Sequence, residues 1–448
     1  MTIGKRIRKI MADKTIKIGL VGFGTVGSGV AKILLEDCDY IKAKTGLKLE
    51  LVKIVDVDTK KERPVKLPAG VLTNDLNSIV NDKDIQIAIE LVGGTKIAKD
   101  IQLKMLAAGK DVITANKALL AEHGNELYTA AHKADKCIAF EASCAGGIPI
   151  ISAIRTGLAA NKIKAIYGIV NGTCNYILTN MTSKNESFRT ALKQAQDKGY
   201  AEADPTLDIS GGDSAHKLAI LSSISFGCEI HPEDIFVEGI ENIDIADIRY
   251  GHEMGYTLKL LAIGQKTAEG KISLRVHPSF IASENALARV DGPFNAISIF
   301  GHAVGHTMFY GRGAGMMPTA SAIVADIIEV AMGNSKKLFK HLTLEPRNKD
   351  SIAKVDDLMS RFYIRLRVLD KPGTFAQITS ILAKHEISLS GVLQHEEQNS
   401  NNVVPVIIIT HQTQQKKISA ALADFEKLEM VKNKPVCIRI VDIPQDGD

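Results

Sequence analysis

The sequence is poor in three features that mark particular protein classes: long hydrophobic runs, closely spaced cysteines and charge of one sign. Its longest apolar stretches, such as VVPVIIIT from Val403, are far shorter than the roughly 20 residues that span a bilayer, so we expect no membrane partner. A net charge of +4 over 448 residues is too small to favour a nucleic-acid partner. The basic segment at residues 1–13 lacks an apolar core, which predicts an extension rather than a secretory signal.

The six cysteines show neither the CxxC spacing of redox and zinc sites nor a paired pattern. In a chain of this length, scattered thiols indicate a reducing compartment, so we expect a cytoplasmic protein. The 45% hydrophobic and 24% charged residues are ordinary for a globular protein. The length of 448 residues predicts two or three domains.

The first third of the chain alternates short apolar strands with amphipathic helices. Strands are predicted at TIKIGLVG from Thr15, LELVKIVD from Leu49, QIAIELVG from Gln86, DVIT from Asp111 and CIAFEA from Cys137. A helix from Ile97 to Ala108 is expected to end at Gly109, a residue type that favours helix ends. This order predicts a doubly wound parallel sheet of the Rossmann type over residues 14–140, with residues 305–335 rejoining it.

Two further regions follow, and their patterns differ. Residues 141–304 mix strands with long helices without regular alternation, which predicts a second, α+β domain. The polar residues 336–360 are expected to form a linker. Residues 361–443 restart with RFYIRLRVLD, whose apolar residues alternate, and continue in the order βαββαβ. That order predicts a C-terminal ferredoxin-like domain.

The segment GFGTVG follows an apolar strand and opens an amphipathic helix, which is the context that the dinucleotide fingerprint requires. In such a turn, Gly22 permits the sharp bend, Gly24 lets the backbone approach a pyrophosphate, and Gly27 lets the helix pack closely on the sheet. The alternative is a plain strand–helix turn, which the flanking pattern disfavours. We therefore predict a dinucleotide site that includes the whole turn: Gly22, Phe23, Gly24, Thr25, Val26 and Gly27.

The end of the second strand bears on the choice between NAD and NADP. There Asp56 could hydrogen-bond a ribose diol and repel a 2′-phosphate, which favours NAD. The basic residues Lys60, Lys61 and Arg63 follow closely and could instead bind that phosphate, or simply lie in a solvated loop. We expect NAD and keep NADP as the alternative.

Lysine and carboxylate residues at two places indicate a reaction centre. Lys117 follows the strand DVIT at the carboxyl edge of the sheet, where ligands of such sheets bind. In GYAEADPTLDISGGDSAHK, Asp213 and Lys217 are spaced to share one helical face among apolar residues. An acidic loop with an exposed ion pair is the plainer interpretation, but a partly buried pair favours a polar substrate. Burial or a second ammonium group would lower the pKa of such a lysine toward a range useful for proton transfer.

Several long motifs resemble one family closely. The segments GFGTVG, TANK, EASCAGGIPII, NGTCNYIL, GYAEADPTLDISGGDSAHK and YGRGAGMMPTASA occur in the order and spacing of homoserine dehydrogenases, over about residues 15–335. The resemblance implies reversible NAD(P)-dependent interconversion of L-aspartate 4-semialdehyde and L-homoserine, in threonine, methionine and isoleucine synthesis. It also implies a homodimer or homotetramer in which residues 141–304 bind substrate and dimerise.

The matching motif positions imply roles for individual residues. Lys217 would donate a proton to the carbonyl oxygen of the substrate, and Lys117 would lie beside cofactor and substrate. Glu202 and Asp213 would hold the ammonium group and the hydroxyl of the substrate, with Asp208 in support. Further cofactor contacts are implied for Gly199, Gly313, Ala314 and Gly315.

The stretch EASCAGGIPI resembles the monovalent-cation site of the family. A sodium ion would be held mostly by backbone carbonyl oxygens, which suit a hard cation. The implied residues are Glu141, Cys144, Gly146 and Ile148. A glycine-rich hinge between domains is an equally compatible interpretation.

Two positions depart from the pattern of the family. Cys174 stands where threonine is common, so a hydroxyl contact near the nicotinamide would be missing. Val57 stands beside Asp56 where an arginine is usual. The second departure puts a preference for NADP in doubt.

The tail, with VLDKPGTFAQI, resembles an ACT domain. Such domains commonly pair across a dimer and bind small amino acids near the first strand–helix turn, here Asp370 to Thr374. Gly373 would let backbone amides approach the ligand, and Ile387 and Ser388 could complete the site. Threonine is the expected effector, and a domain kept for dimerisation alone is the alternative.

Two other functions fit the same scaffold: a different amino-acid semialdehyde reductase, and a non-catalytic amino-acid sensor. The long acidic motif disfavours the first. The presence of Lys117, Asp213 and Lys217 disfavours the second.

Overall fold

The structure, a computed structural model, describes residues 14–395 and 402–444. The basic segment at residues 1–13, expected to be an extension, lies outside this part of the chain. The described residues form one sheet of six strands and one of eleven. Helices lie between and beside the strands along the whole described chain, as expected for an α/β protein.

The first part of the chain forms the six-stranded sheet. Its strands are β1 (Lys14–Val21), β2 (Leu47–Val55), β3 (Leu72–Thr73), β4 (Ile85–Glu90), β5 (Asp111–Thr114) and β6 (Ile138–Ala139). They lie in the order β3-β2-β1-β4-β5-β6 and pair in parallel throughout, which confirms the predicted Rossmann-type sheet. Strand β6 is shorter than CIAFEA indicates, because the chain enters a 3₁₀ turn at Glu141–Ser143.

Helices pack on this sheet through their apolar faces. They are α1 (Thr25–Glu36), α2 (Cys38–Thr45), α3 (Asn77–Val80), α4 (Lys96–Ala107) and α5 (Lys117–Lys133). The predicted end of α4 is confirmed, since Gly109 takes a left-handed φ of 76° just after the helix. The carboxyl ends of β1, β4 and β5 therefore lead into α1, α4 and α5 at one edge of the sheet.

The middle of the chain forms most of the eleven-stranded sheet. Its strands are β7 (Ile163–Ile169), β8 (Phe236–Val237), β9 (Tyr256–Lys266), β10 (Ile272–Ala282), β11 (Phe294–Gly301) and β12 (Gly305–Arg312). The helices are α6 (Ile150–Ser152), α7 (Gly172–Lys184), α8 (Phe188–Asp197), α9 (Thr206–Ile209), α10 (Gly212–Phe226), α11 (Ile245–Glu253), α12 (Met316–Ala331) and α13 (Asn334–Lys340). A short π-helical segment, Ala153–Gly157, continues α6.

The chain returns to the first sheet later than residue 305, the predicted point. Strand β12 instead forms an antiparallel hairpin with β11 and stays in the larger sheet. Within the returning segment, α12 is the element that packs on α1. A side chain at Gly29 of α1 would collide with Met316 and Ala320 of α12. The return therefore begins after Arg312, because the hairpin pairs all of β12 first.

The C-terminal region adds β13 (Met359–Leu369), α14 (Thr374–Lys384), β14 (Leu389–Leu393), β15 (Val403–Thr410), β16 (Thr413–Gln414), α15 (Gln415–Phe425) and β17 (Val436–Ile440). This confirms the predicted βαββαβ order, with only the two-residue β16 added. The sheet of this region is continuous with the larger one, because β17 pairs in parallel with β10. Two edge strands thereby satisfy each other's backbone groups, and the expected independent unit is joined to the middle region.

The predicted linker at residues 336–360 is packed rather than free. Phe339 of α13 is buried and lies against the rings of Tyr128 and His132. Farther along, Glu345 and Ile352 form isolated bridges to the middle region. Polar composition indicated a linker, but the ring of Phe339 and these two backbone bridges attach it to the protein.

No single helix in the described ranges is long and apolar enough to cross a membrane. The helices α12 and α13 satisfy the length and composition criteria only when taken together, and they are bent by 82° relative to each other.

Candidate active site

The glycine-rich turn lies between β1 and α1 and has the shape that a dinucleotide requires. Gly22 has a φ of 96°, and a Cβ there would lie 2.6 Å from the carbonyl oxygen of Leu91. A Cβ at Gly27 would lie 2.2 Å from the carbonyl oxygen of Gly22. A Cβ at Gly24 would meet no atom within 4 Å. Packing therefore demands the first and third glycines, whereas the second leaves open space in which a pyrophosphate fits at the helix N-terminus.

Asp56, at the end of β2, is already engaged by the protein. Its carboxylate accepts hydrogen bonds from the backbone N–H groups of Phe23 (2.6 Å) and Asp58 (2.9 Å). Arg63 pairs with it at 3.1 Å and covers the ring of Phe23. The neighbouring Val57 is 99% exposed. Asp56 thus fixes the glycine-rich turn, and the side chain of Val57 beside it is open to solvent.

The TANK motif holds Lys117 through its neighbours. The hydroxyl of Thr114 donates to the buried carboxylate of Glu90 at 2.8 Å. The side chain of Asn116 caps α5 by accepting from Leu119 N–H, and it donates to the carbonyl oxygen of Gly94 at 2.8 Å. Lys117 is therefore the first residue of α5, fixed at the carboxyl edge of the sheet where the prediction placed it.

Asp213 is the centre of a cluster of charged side chains. Its carboxylate pairs with the ammonium groups of Lys217 (2.7 Å) and Lys117 (3.2 Å), so the structure brings the three predicted residues together. Burial opposes ionisation of Asp213, but the two lysines outweigh it and hold the pKa well below its ordinary value. Burial is the largest influence on Lys117 and lowers its pKa, but the charge of Asp213, the hydrogen bond to Asp213 and the charge of Asp208 together raise the pKa above its ordinary value. Lys117 is therefore held in its charged form, because a carboxylate lies between the two ammonium groups.

The ammonium group of Lys217 is positioned from two sides. It donates to the carbonyl oxygen of Val170 at 2.7 Å and to Asp213 at 2.7 Å, and its side chain is only 11% exposed. An ammonium carries three N–H donors. One of the three is therefore left to point at a substrate, while Lys117, with a side chain 34% exposed, lies toward the open side.

Asn171, which the sequence did not single out, joins the carboxylates. Its amide donates to Asp208 at 2.7 Å and to Asp213 at 2.8 Å, and its oxygen caps α7 at Cys174 N–H. Burial raises the pKa of Asp208, partly offset by this hydrogen bond. The available signal was the Asn-Gly pair directly after a strand, which is a typical start of a helix.

Comparison with known proteins identifies the family. Residues 22–141 match the NAD-binding domain of homoserine dehydrogenase, residues 149–328 match the homoserine dehydrogenase family, and residues 362–429 match the ACT domain. The homoserine dehydrogenase of Helicobacter pylori is 44% identical over 427 residues, which cover 95% of this chain and 99% of the relative. That of Neisseria gonorrhoeae is 42% identical over 432 residues, covering 95% and 99%. The chain belongs to the homoserine dehydrogenase family.

A solved structure agrees with this assignment. The crystal structure of a homoserine dehydrogenase from Thiobacillus denitrificans has a TM-score of 0.87 at 40% identity, covering 96% of this chain and 99% of that one. This chain is thus an oxidoreductase of that family, with an NAD(P)-binding domain, a catalytic domain and a C-terminal ACT domain.

Two of the residues that homoserine dehydrogenase motifs implied stand apart from the cluster. Glu202 is exposed, and in the described structure only its backbone carbonyl oxygen accepts a hydrogen bond, from Gln196. Gly199, with a φ of 72°, ends α8, and Thr173 ties the next residue to α7 through a 2.6 Å hydrogen bond. The acidic segment therefore borders the cluster, with Glu202 on its solvent side.

Cys174, the departure from the family pattern, is fully buried. Its thiol donates to the carbonyl oxygen of Asp208 at 3.2 Å. Burial, together with the charges of Asp208 and Asp213, raises the pKa of the thiol well above its ordinary value. Cys174 therefore acts as a neutral donor beneath the cluster.

The expected cation loop is built from backbone rather than side chains. The carboxylate of Glu141 accepts from the N–H groups of Ile151 and Ser152, both at 2.8 Å, and burial raises its pKa to about 6. Among the described residues no group of three or more His, Cys, Asp or Glu side chains could hold a metal. The hydrogen bonds of the described chain leave the carbonyl oxygens of Cys144 and Gly146 unused. The loop that contains Ile148 could therefore bind a cation only through its backbone carbonyl oxygens.

The cation loop touches the turn at residues 313–315. Gly147 N–H donates to the carbonyl oxygen of Arg312 at 3.0 Å. A Cβ at Gly146, whose φ is 49°, would lie 2.5 Å from the carbonyl oxygen of Gly313. The structure therefore brings these two predicted sites together, whereas Ala314 and Gly315 lead into α12.

The ACT turn presents part of the predicted effector site. Asp370 and Gly373 lie exposed at the start of α14, where Gly373 has a φ of 89°. Ile387 is 5% exposed and packs in the core of the ACT region. The structure therefore places Asp370 and Gly373 on an accessible turn, whereas the side chain of Ile387 is buried.

Proposed function

We propose that this chain interconverts L-homoserine and L-aspartate 4-semialdehyde with a nicotinamide cofactor, as a step in threonine, methionine and isoleucine synthesis. The observation that carries the proposal is the buried Asp213 carboxylate bridging Lys117 and Lys217 at the edge of the cofactor-binding sheet. When bound, the cofactor exchanges a hydride with the carbon that bears the oxygen. The side chains must then move a proton at that oxygen and hold an amino-acid substrate.

Lys217 is proposed as the proton donor to the carbonyl oxygen in the reductive direction. Its two fixed hydrogen bonds orient the third N–H, and Asp213 stabilises the charged form from which a proton is donated. Lys117 is proposed to orient the substrate oxygen and the cofactor from the more exposed side. This division of roles matches the different exposure of the two ammonium groups.

Carboxylates are proposed to bind the ammonium group of the substrate. Asp208 lies 2.7 Å from Asn171, which also bonds Asp213, so the two acids line one surface. Glu202 is proposed to complete this surface from the solvent side when substrate binds. An amino-acid substrate brings the cation that these carboxylates can pair with.

NAD is proposed as the preferred cofactor. Support comes from Asp56 at the ribose end of the site and from the exposed Val57, which offers no charge to a 2′-phosphate. Arg63 lies close by but is already paired with Asp56. The glycine-rich turn, together with Gly199 and residues 313–315, is proposed to contact the rest of the cofactor.

Three further properties are proposed with the function. The unused carbonyl oxygens of Cys144 and Gly146, with those of Glu141 and Ile148, would bind sodium. Threonine would act as effector at the turn of Asp370 and Gly373. We also propose a cytoplasmic homodimer or homotetramer in which the middle region dimerises.

An assay of the purified full-length chain tests the proposal. Aspartate 4-semialdehyde and related semialdehydes are offered with NADH and with NADPH. Oxidation of the cofactor is followed by its nicotinamide absorbance. Turnover of aspartate 4-semialdehyde well above the others is expected. Preferential turnover of another aldehyde would mean a different semialdehyde reductase, and no turnover with intact cofactor binding would mean a sensor.

A further inference from the structure

Asn295, the second residue of β11, carries a buried amide that the described contacts leave unused. It is 1% exposed, and neither its oxygen nor its nitrogen has a hydrogen-bond partner among the described residues. Buried amides are almost always paired, so an unpaired one indicates a partner that arrives in another state of the protein. No residue role assigned above includes Asn295.

The amide lies between backbone segments of the cofactor end of the site. A Cβ at Gly313 would lie 2.0 Å from the Asn295 nitrogen and 2.4 Å from its oxygen, so the amide packs flat against the Gly313 backbone. On the other side, a Cβ at Gly172, the first residue of α7, would lie 3.6 Å from the same oxygen. Asn295 therefore fills the gap between the start of α7 and the 313–315 turn.

The position of Asn295 also connects it to the reaction centre. Ala296 pairs with Ile169 at the end of β7, and the next residue, Val170, accepts the hydrogen bond from Lys217. Gly313 in turn lies against Gly146 of the cation loop. A shift of the 313–315 turn would thus be felt at Asn295 and at the cation loop together.

We propose that Asn295 is a positioning residue that holds the 313–315 turn in its cofactor-bound place. A carboxamide offers one acceptor and two donors, which match the C=O and N–H of a peptide group. A small shift of the turn across the face of the amide converts the present flat contact into these hydrogen bonds. The proposal rests on the cofactor-binding part of the proposed function and adds a residue that acts through the turn.

Binding of NADH to the full-length protein tests this inference without turnover. Asn295→Leu keeps the number and branching of the side-chain heavy atoms but removes the donors and the acceptor. Asn295→Ala is the second variant in case the larger leucine prevents folding. The matched control is Ile297→Val, a buried change at the next residue but one of the same strand. NADH fluorescence gives the Kd, and thermal denaturation gives the midpoint.

The expected result is a rise in NADH Kd and in cofactor KM of about tenfold in both Asn295 variants. The homoserine KM should change less than twofold, and Ile297→Val should bind NADH like the parent protein. An unchanged Kd in both variants would overturn the inference, whatever happens to the thermal midpoint, because the role would then be structural only. Since NADH binding is measured without substrate, failure of homoserine turnover in the parent protein would be recognised separately.

Discussion

Two buried carboxylates, Asp213 in the proposed active site and Asp247 at the junction with the ACT region, differ in how completely their partners are used. Asp247 on α11 is fully buried and accepts from Arg365 at 2.6 and 2.9 Å and from the Tyr363 hydroxyl at 2.9 Å. Its guanidinium partner is 8% exposed. Asp213 is bridged by two lysines, of which Lys117 faces the open side and Lys217 keeps a free N–H.

The difference separates a fastening from a reaction centre. Arg365 presents a rigid fork to Asp247, and the pair leaves little for a ligand. Lysine ammonium groups are single points of charge that can give up a proton. The same kind of buried ion pair therefore joins the ACT strand β13 to α11 in one place, and in the other it holds the lysine that we propose as the proton donor. Substitutions in the two pairs should consequently change different measured quantities.

Asp213→Asn should have the largest effect on turnover. The neutral amide removes the charge that holds both ammonium groups, so we expect kcat to fall on the order of 10³-fold, within the usual contribution of acid–base groups. Steady-state kinetics with homoserine and NAD measure it, with NADH binding as the control for an intact cofactor site. A loss of less than tenfold would remove Asp213 from the reaction centre.

Asp247→Asn should show the reverse pattern. It leaves the buried Arg365 guanidinium with the more exposed Asp244 carboxylate, 3.9 Å away, as its remaining counter-charge. The free energy of unfolding should therefore fall by about 3 kcal/mol. Urea denaturation measures the loss, and Tyr363→Phe, which removes one hydrogen bond, should cost about 1 kcal/mol. The kcat of the folded fraction should stay within twofold of the parent. A kcat that falls as far as in Asp213→Asn would break the distinction between the two pairs.

A third carboxylate, Asp56, lies between these extremes, because it is paired but borders the cofactor. Val57→Arg adds a cation beside Asp56 at a fully accessible position. One charge-assisted hydrogen bond to the 2′-phosphate contributes about 1.5–3 kcal/mol. The ratio of kcat/KM for NADPH to kcat/KM for NADH should therefore rise about tenfold. Thermal denaturation should show no loss of stability. A parent protein that already prefers NADPH strongly would contradict the proposed preference for NAD.

Glu202→Gln should have the smallest effect of the series. Because the carboxylate is exposed, solvent screens its contribution to binding a cation, and an exposed ion pair is worth about 1 kcal/mol. We therefore expect the homoserine KM to rise about three- to fivefold with kcat nearly unchanged. Initial rates over a homoserine series measure both constants. Equal loss in kcat would show that Glu202 acts in the reaction step rather than in binding.

Much of the fold could be predicted because its signals are local. The glycine-rich turn, the alternating strands and the helix end at Gly109 are each written within about ten residues. Lys117, Asp213 and Lys217 were found from motifs that the family keeps together. The dinucleotide turn and the order of strands and helices in the ACT region could be predicted from the spacing of apolar residues and from the residue types that form turns.

The remaining features depend on pairs far apart in the chain. Asp247 meets Arg365 across 118 positions, and no local pattern marks either residue. The pairing of β10 with β17 depends on which sheet edges meet. The alternation of apolar residues along a strand does not specify this. Asn171 carries a helix-start signal, but its two acidic partners lie 37 and 42 residues away.

The most direct test compares two buried lysines. Lys217 and Lys259 each donate to a backbone carbonyl oxygen at 2.7 Å and pair with an aspartate, but only Lys217 lies in the proposed reaction centre. The kcat for homoserine oxidation is measured for Lys217→Ala and Lys259→Met, with NADH binding measured on both. We predict that Lys217→Ala loses at least about 10³-fold in kcat while binding NADH normally, and that folded Lys259→Met stays within a few fold of the parent. Near-normal turnover by Lys217→Ala would contradict the proposed mechanism.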